Sequence, residues 1–451
     1  MSARKAAAKA APQTKTKAKR KSPAGKRPAR SVAGPLAGIR VLDISAVVAG
    51  PYASKLLADF GAEVIRVEPR EGDLIRWIAG KSPTPGMSGK YLHLNRNKRS
   101  IVLDLKHPKG REALLKLAAT ADVFMHNMRE PAIGRLKLGY RELARANPRI
   151  VYLSIAGFGS GGRYAGKPAY DSIIQGASGM ASLFERTTGA PRYVPMVIAD
   201  RFIGMAASHA LLVALLRRER TGRGARIELP MFETLAGLVL AEHSYESTFD
   251  PPLGPPGDLR LIDPNARPVQ TADGFICITT NTDAQAFALL EAIGRPELKD
   301  DPRFSTKFAR AKNAGALFAL RAEALAQRTT AHWMRELEAR DIPVARYHTL
   351  QTLASDPHLR DAGLLERVVH PSEGPMWTIR DGARIDGRSA GVRRPAPRVG
   401  ADTVAVLREA GLSAAQVREL LAAGACWDGG TGTPAKPSRP GNTNPGGRKP
   451  D

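Results

Sequence analysis

The most constraining stretch of this chain is its first regular one. Ile39-Arg40-Val41-Leu42-Asp43-Ile44 is an apolar, β-rich run, and residues 53–60 follow with Leu56, Leu57 and Phe60 at helical spacing. Gly61 stands where a helix C-terminus favours glycine, and Glu63-Val64-Ile65-Arg66-Val67-Glu68 is a second strand closed by Pro69. A strand, helix and strand in this order enter a parallel sheet through a right-handed crossover. The alternation continues with a strand at 100–103, a helix at 109–119 and strands at 122–125 and 150–155. The fold class is therefore α/β, and such sheets take ligands beyond the carboxyl ends of their strands.

Two nucleotide readings fail on spacing. Glu68 ends the second strand, where an acid can meet a ribose hydroxyl. However, the first turn reads Ser45-Ala46-Val47-Val48-Ala49-Gly50-Pro51 and lacks G-x-G-x-x-G, so a dinucleotide pyrophosphate has no close backbone approach. Gly157-Phe158-Gly159-Ser160-Gly161-Gly162 is a loop able to adopt backbone angles closed to other residues. It lacks the G-K-[S/T] ending that cradles ATP phosphates.

Composition removes further classes. Cys277 and Cys426 are the two cysteines of 451 residues, too few for a disulfide framework or a structural zinc cluster. At 43% hydrophobic and 25% charged residues the chain can build two to three domains' worth of core. No run of about 18 apolar residues stands out, so no membrane span is expected.

The net charge of +25 is concentrated at the start, where residues 1–31 hold eleven Lys or Arg and no Asp or Glu. Residues 1–33 read as a disordered basic arm, either a solubilising tail or a weak, salt-sensitive contact for nucleic acid phosphates. The arm lacks the apolar core of a secretory signal, and a cytoplasmic location is expected. Residues 427–451, rich in Gly, Pro, Asn and Thr, read as a disordered tail.

In the middle of the chain, Lys167-Pro168-Ala169-Tyr170-Asp171 leads into a helix expected over 172–183, with Asp171 at its start. Asp200 precedes an apolar helix expected over 202–216 and reads as its N-cap. His209 reads as a core histidine on that helix, and Cys277 as buried filler on a strand.

Several ordered motifs together resemble class III CoA-transferases, the CaiB/BaiF family. These are Gly38-Ile39-Arg40-Val41-Leu42-Asp43, Ala49-Gly50-Pro51 and Phe60-Gly61-Ala62-Glu63-Val64-Ile65-Arg66-Val67-Glu68, followed by Asn95-Arg96-Asn97-Lys98-Arg99-Ser100 and His126-Asn127-Met128-Arg129. Leu138-Gly139-Tyr140, Asn147-Pro148-Arg149, Tyr170-Asp171, Arg220-Thr221-Gly222-Arg223-Gly224 and Ile342-Pro343-Val344-Ala345 continue the match, which spans residues 36–426.

The resemblance implies that Asp200, within Ala199-Asp200-Arg201-Phe202-Ile203-Gly204, is the catalytic carboxylate. It attacks an acyl-CoA thioester, forms an aspartyl anhydride and then an aspartyl-CoA thioester, and passes CoA to an acceptor acid. A helix N-terminus is expected to keep it ionised. By the same resemblance Val48, Ala49, Arg70, Leu103, Lys106, Asn127, Met128, Arg129, Arg135 and Lys167 contact coenzyme A. CoA enters as a thioester substrate, and no permanently bound cofactor or metal is implied.

The implied architecture is a Rossmann-like large domain (34–225 and 326–426) with a smaller inserted α+β domain (226–325), assembled as an interlocked homodimer. The active site would lie between the large domain and the partner's small domain. Two departures matter. The alternative on this fold, an α-methylacyl-CoA racemase, needs a His-Asp pair where this chain has Tyr170-Asp171. The mobile four-glycine run of oxalate-handling members is replaced by Pro251-Pro252-Leu253-Gly254-Pro255-Pro256-Gly257, which argues against formyl-CoA:oxalate exchange.

Overall fold

The computed structural model describes residues 34–429, so the basic arm and the tail beyond 429 lie outside the described residues. Six strands build the main sheet in parallel: β1 (Arg40–Asp43), β2 (Glu63–Glu68), β3 (Lys98–Leu103), β4 (Val123–His126), β5 (Val151–Ala156) and β6 (Ala225–Pro230). Their order is β3-β2-β1-β4-β5-β6, and a terminal strand, Cys426–Trp427, runs antiparallel along the outer edge of β3. Strand order reverses between β1 and β4, which opens a crevice at their carboxyl ends.

Both faces of the sheet are covered, as continuous apolar strands require. One face sends Leu42, Ile65, Ile101, Phe124 and Tyr152 against Leu114 and Leu117 of α3 (Pro108–Ala118) and against Val406 and Leu407. The other sends Val41, Val64, Val123, Val151 and Leu153 against α1 (Ala49–Asp59) and against α5 (Ile198–Thr221). Between these elements lie α2 (Gly89–Asn95) and α4 (Asp171–Ala177), and α5 is followed across β6 by α6 (Met231–His243).

The α1–α5 crossing sets the position of the site. A Cβ built on Gly204 of α5 would stand 2.8 Å from the Ala49 carbonyl oxygen and 2.9 Å from the Tyr52 ring. Only glycine lets the two helices meet this closely, one turn after Asp200 and at the start of α1.

Several expectations are corrected. The helix expected over 172–183 ends at Ala177, where the chain turns through left-handed Gly179 into a 3-10 turn, Met180–Ser182. The helix expected from residue 202 begins at Ile198, with Val197 at its N-cap. His209 on that helix is exposed and not in the core. The same helix is long and apolar enough to cross a membrane by length and composition, contrary to the reading that no such segment exists. Here it packs along α1, and Ile203, Ala207 and Leu211 are fully buried on it.

A second, antiparallel sheet joins β7 (Val269–Gln270), β8 (Phe275–Ile278) and β9 (Val344–Arg346). Ile276, Leu289, Leu325, Trp333, Leu337 and Ile342 form its core. The boundary read at residue 226 falls inside β6 of the main sheet, and the boundary read at 325 falls inside this second core. Cys277 is exposed, because Ile276 takes the inward position on β8. Trp427, read as the first residue of a disordered tail, is instead in a strand and pairs with Val102.

Candidate active site

The turn after β1 is held residue by residue. Asp43, fully buried, accepts the Ser45 backbone N–H at 2.8 Å and hydroxyl bonds from Ser45 and Ser54. The Ala46 N–H donates to Asn127 Oδ1 and the Ala46 carbonyl accepts from Asn127 Nδ2, both at 2.9 Å, which ties the β1 loop to the β4 loop. The Val47 N–H donates to Asp73 Oδ2 at 2.8 Å. With those donors satisfied, α1 begins without a side-chain cap, and the N–H groups of Val48 and Ala49 have no partner among the described residues. Both residues line a cavity of about 550 Å³ that also contains Asp200.

Asp200 is the third residue of α5, inside its first turn, and makes no side-chain cap of its own. The acceptor for its backbone N–H is Asp171 Oδ1, at 3.1 Å from the start of α4. Asp171 Oδ2 accepts from Gln175 Nε2 at 2.7 Å, while Gln175 Oε1 accepts the Val194 N–H at 2.9 Å and its Nε2 reaches the Met196 carbonyl at 3.2 Å. The segment before α5 is thereby fastened to α4.

Burial pushes the Asp200 carboxyl up to about 6, and the nearby Asp171 charge adds to this against the pull of Arg201 and Lys90. Burial thus outweighs the helix N-terminus that was expected to keep Asp200 ionised, without preventing ionisation at neutral pH. The carboxyl remains mostly ionised there and is a stronger base than a free aspartate.

Of the CoA-contact candidates, Val48, Ala49, Asn127, Met128, Arg129 and Lys167 line the same cavity as Asp200. They converge because β1 and β4 flank the switch point of the sheet. Arg70, Leu103, Lys106 and Arg135 do not line it. Leu103 is core: it is 2% exposed and pairs with Cys426. Arg70 follows β2 and lies over the Trp427 ring at 5.9 Å, while Lys106 and Arg135 are exposed.

His126, at the end of β4, supports the Met128 loop from beneath. Its Nδ1 accepts the Met128 N–H at 3.1 Å, which leaves Nε2 to carry the proton toward the Tyr152 hydroxyl at 2.6 Å. Burial lowers its pKa to about 4, so it stays neutral.

The glycine loop also departs from its reading. Gly157, Gly159, Gly161 and Gly162 have no positive φ; at Gly157 glycine is needed for closeness, since a Cβ there would lie 2.5 Å from the Ala169 Cβ, whereas one on Gly161 would meet nothing within 4 Å. Carboxylates occupy its donors: Glu233 takes the Gly159 N–H at 2.8 Å, and Glu228 takes the Ser160 N–H at 2.7 Å and its hydroxyl at 2.8 Å. An anion has no place there. Glu68 is likewise engaged, by Arg76 at 2.7 Å and by Ser100 at 2.7 Å, and is closed to a ribose.

Sequence reasoning passed over Ala46, Val47, Glu130, Arg226 and Glu228, which also line the cavity. Arg226 and Glu228 alternate with Ile227 on β6, and that period of two was available as a signal. No group of three or more His, Cys, Asp or Glu side chains able to hold a metal ion occurs among the described residues. A wider, more open hollow of about 980 Å³ is lined by Tyr52, Lys90, Arg201, Met205 and Leu212 and does not contain Asp200.

The chain is similar to known proteins over most of its length. Residues 36–403 match the profile of CoA-transferase family III. The chain is 31% identical over 390 residues to a succinate–glutarate CoA-transferase of Agrobacterium fabrum, covering 83% of this chain and 95% of that protein. It is 31% identical over 384 residues to a probable fatty acyl-CoA transferase of Mycobacterium tuberculosis, covering 83% and 97%. The crystal structure of a CaiB/BaiF family protein from Brucella suis superposes with a TM-score of 0.70 at 29% identity, over 84% of this chain and 99% of that one. The motifs of the β1 and β4 turns, the parallel sheet that brings them together and these likenesses converge on one assignment: the chain belongs to CoA-transferase family III.

Proposed function

We propose that this protein moves coenzyme A from an acyl-CoA to a free carboxylic acid through covalent intermediates on Asp200. The carrying observation is a half-buried carboxylate with a pKa of about 6 in the cavity shared by Val48, Ala49, Asn127 and Arg129. An Asp200 oxygen attacks the thioester carbonyl carbon, the C–S bond breaks and CoA leaves as thiolate, giving a mixed anhydride. The thiolate attacks the Asp200 carbonyl, releasing the donor acid and leaving an aspartyl-CoA thioester. The acceptor carboxylate then attacks that thioester, expelling thiolate again. A final thiolate attack on the acceptor's carbonyl gives the new acyl-CoA and frees Asp200. Each step exchanges one activated acyl bond for another, so no external energy source is required.

The N–H groups of Val48 and Ala49, unpartnered among the described residues, suit the oxygen that gains charge in each tetrahedral state. Arg129 and Lys167 suit the anionic part of CoA, which enters as substrate. A homodimer is part of this proposal, and the exposed apolar side chains of α5, Met205, Val213 and Leu216, each more than half exposed, support it. The racemase alternative gains no support from the cavity, where Tyr170 stands in place of an imidazole.

The test is mass spectrometry of the protein with pooled acyl-CoAs and pooled acids that include succinate, glutarate and fatty acids, beside Asp200→Asn. New acyl-CoAs formed only by the unmodified protein, with a CoA adduct on the peptide carrying Asp200, support the reading. Exchange that survives Asp200→Asn refutes it. Deuterium entering a branched acyl-CoA at its α-carbon, with no exchange of acids, moves the assignment to the racemase.

A further inference from the structure

Val47 is the residue of the cavity loop whose backbone is least at ease. Its φ of +67° lies in the left-handed region, which a β-branched side chain strongly disfavours. Such a conformation persists only where its surroundings over-determine it. On one side Ala46 is fixed by its reciprocal pair of bonds with Asn127. On the other, the Val47 N–H itself is taken by Asp73 Oδ2 at 2.8 Å.

Asp73 is held with unusual firmness for a loop residue. It forms a buried ion pair with Arg66, its Oδ1 accepts the Ile75 N–H at 2.9 Å, and its own N–H donates to Glu68 Oε1 at 3.1 Å. Glu68 is in turn clamped by Arg76 through Nε at 2.9 Å and Nη2 at 2.7 Å. The Arg76 guanidinium lies 3.6 Å from the centre of the Tyr91 ring, and the Tyr91 hydroxyl donates to the Pro397 carbonyl at 2.8 Å. Asp73, Arg66, Glu68 and Arg76 are all 4% exposed or less, yet none of them lines the cavity. Burying four charges is costly, and hydrophobic replacements often do as well for stability alone. The direct hydrogen bond from this network to Val47 is the one Asp73 accepts; a longer contact, Arg66 to Asp43 at 3.8 Å, reaches the preceding Ser45 instead.

We propose that Asp73 is a positioning residue for acyl transfer: it holds Val47 left-handed and so fixes where Val48 and Ala49 stand relative to Asp200. It touches no substrate and acts only through the loop. The inference rests on the acyl-transfer reading for its assay and on the geometry for its content.

The test compares Asp73→Asn in the unmodified protein and in a Val47→Gly background, since glycine reaches the left-handed region without assistance. Two readouts are taken: kcat/KM for acyl exchange, and the Kd of coenzyme A itself by calorimetry. Asp73→Asn is expected to lower kcat/KM at least tenfold and to weaken CoA binding in the Val47 protein. In the Val47→Gly background the same change costs threefold or less, while the fall in Tm is alike in both. An equal loss in both backgrounds overturns the proposal and makes Asp73 merely the partner of Arg66. If Asp73→Asn folds only together with Val47→Gly, activity and affinity within threefold of Val47→Gly alone support it; failure to fold in both backgrounds overturns it. Absence of exchange by the unmodified protein counts against the transfer reading alone, because the CoA affinities still make the comparison. Absence of CoA binding by the unmodified protein overturns both.

Discussion

The Asp171 carboxylate accepts the backbone N–H of Asp200 at 3.1 Å, so one acid caps the helix that presents the other. The same contact places a negative charge beside the Asp200 carboxyl and helps raise its pKa. Asp171 thus acts on the position of Asp200 and, after burial, on its basicity.

Replacing Asp171 with Asn keeps an oxygen for the Asp200 N–H but removes the charge. The Asp200 pKa then falls toward that of a free aspartate, because its ionised form loses a repelling neighbour. The acid limb of the kcat/KM profile moves to lower pH. An unshifted limb would show that burial alone sets the value.

On the proposed mechanism, transfer by the unmodified protein requires ionised Asp200. With a pKa of about 6, kcat/KM should be flat above pH 7 and fall about tenfold per unit well below pH 6. Initial rates from pH 4.5 to 8.5 in buffers of constant ionic strength measure this.

Stability carries the opposite sign. A folded-state pKa of about 6, above the ordinary aspartate value, means that ionising Asp200 opposes folding above pH 6. Below about pH 4 the carboxyl is protonated folded or unfolded, and the penalty is gone. Asp200→Asn should therefore raise stability by about 1–2 kcal/mol at pH 7.5, less than a full two-unit shift gives because the side chain is partly solvated. The gain should fade toward pH 4. Thermal melts of both proteins across that range give the comparison.

Gly204→Ala sets a methyl against the Ala49 carbonyl and the Tyr52 ring, both nearer than 3 Å. Pushing α5 from α1 should cost about 1–3 kcal/mol and, by moving Asp200 away from the start of α1, lower kcat more than tenfold. Melting and steady-state kinetics on the same preparation separate the two effects.

Leu103 and Arg129 should part company. Leu103→Ala opens a hole beneath the terminal strand and should cost about 2–5 kcal/mol. Arg129→Ala, at the cavity, should leave Tm within about 1 °C and raise the acyl-CoA KM fivefold or more. A KM unchanged in Arg129→Ala removes that residue from the CoA site.

The sheet was readable in the chain because its strands are apolar on both faces and separated by helices of ordinary length. β1, α1, Gly61 and β2 appear as read, within one or two residues apart from the start of α1. The start of α5 was misread for a physical reason: its capping acceptor, Asp171, comes from 29 residues earlier and leaves no local mark. His209 was misplaced because α5 is apolar nearly all round, and periodicity then selects no inner face. Arg70, Lys106 and Arg135 sit after strands or turns on the correct edge of the sheet, but strand order, which only the fold supplies, puts them outside the cavity that Asp200 shares.

The strand Cys426–Trp427 lies along β3, and Asp402 and Thr403 accept the Ser100 and Val102 N–H groups at 2.9 and 3.0 Å. The outer edge of β3 is therefore sealed by residues that emerge from the ribosome some three hundred positions later. At about 5–20 residues per second, that edge stays bare for tens of seconds of synthesis, an open invitation to a neighbouring nascent chain. Asp200 is translated well before the sheet that holds it is closed.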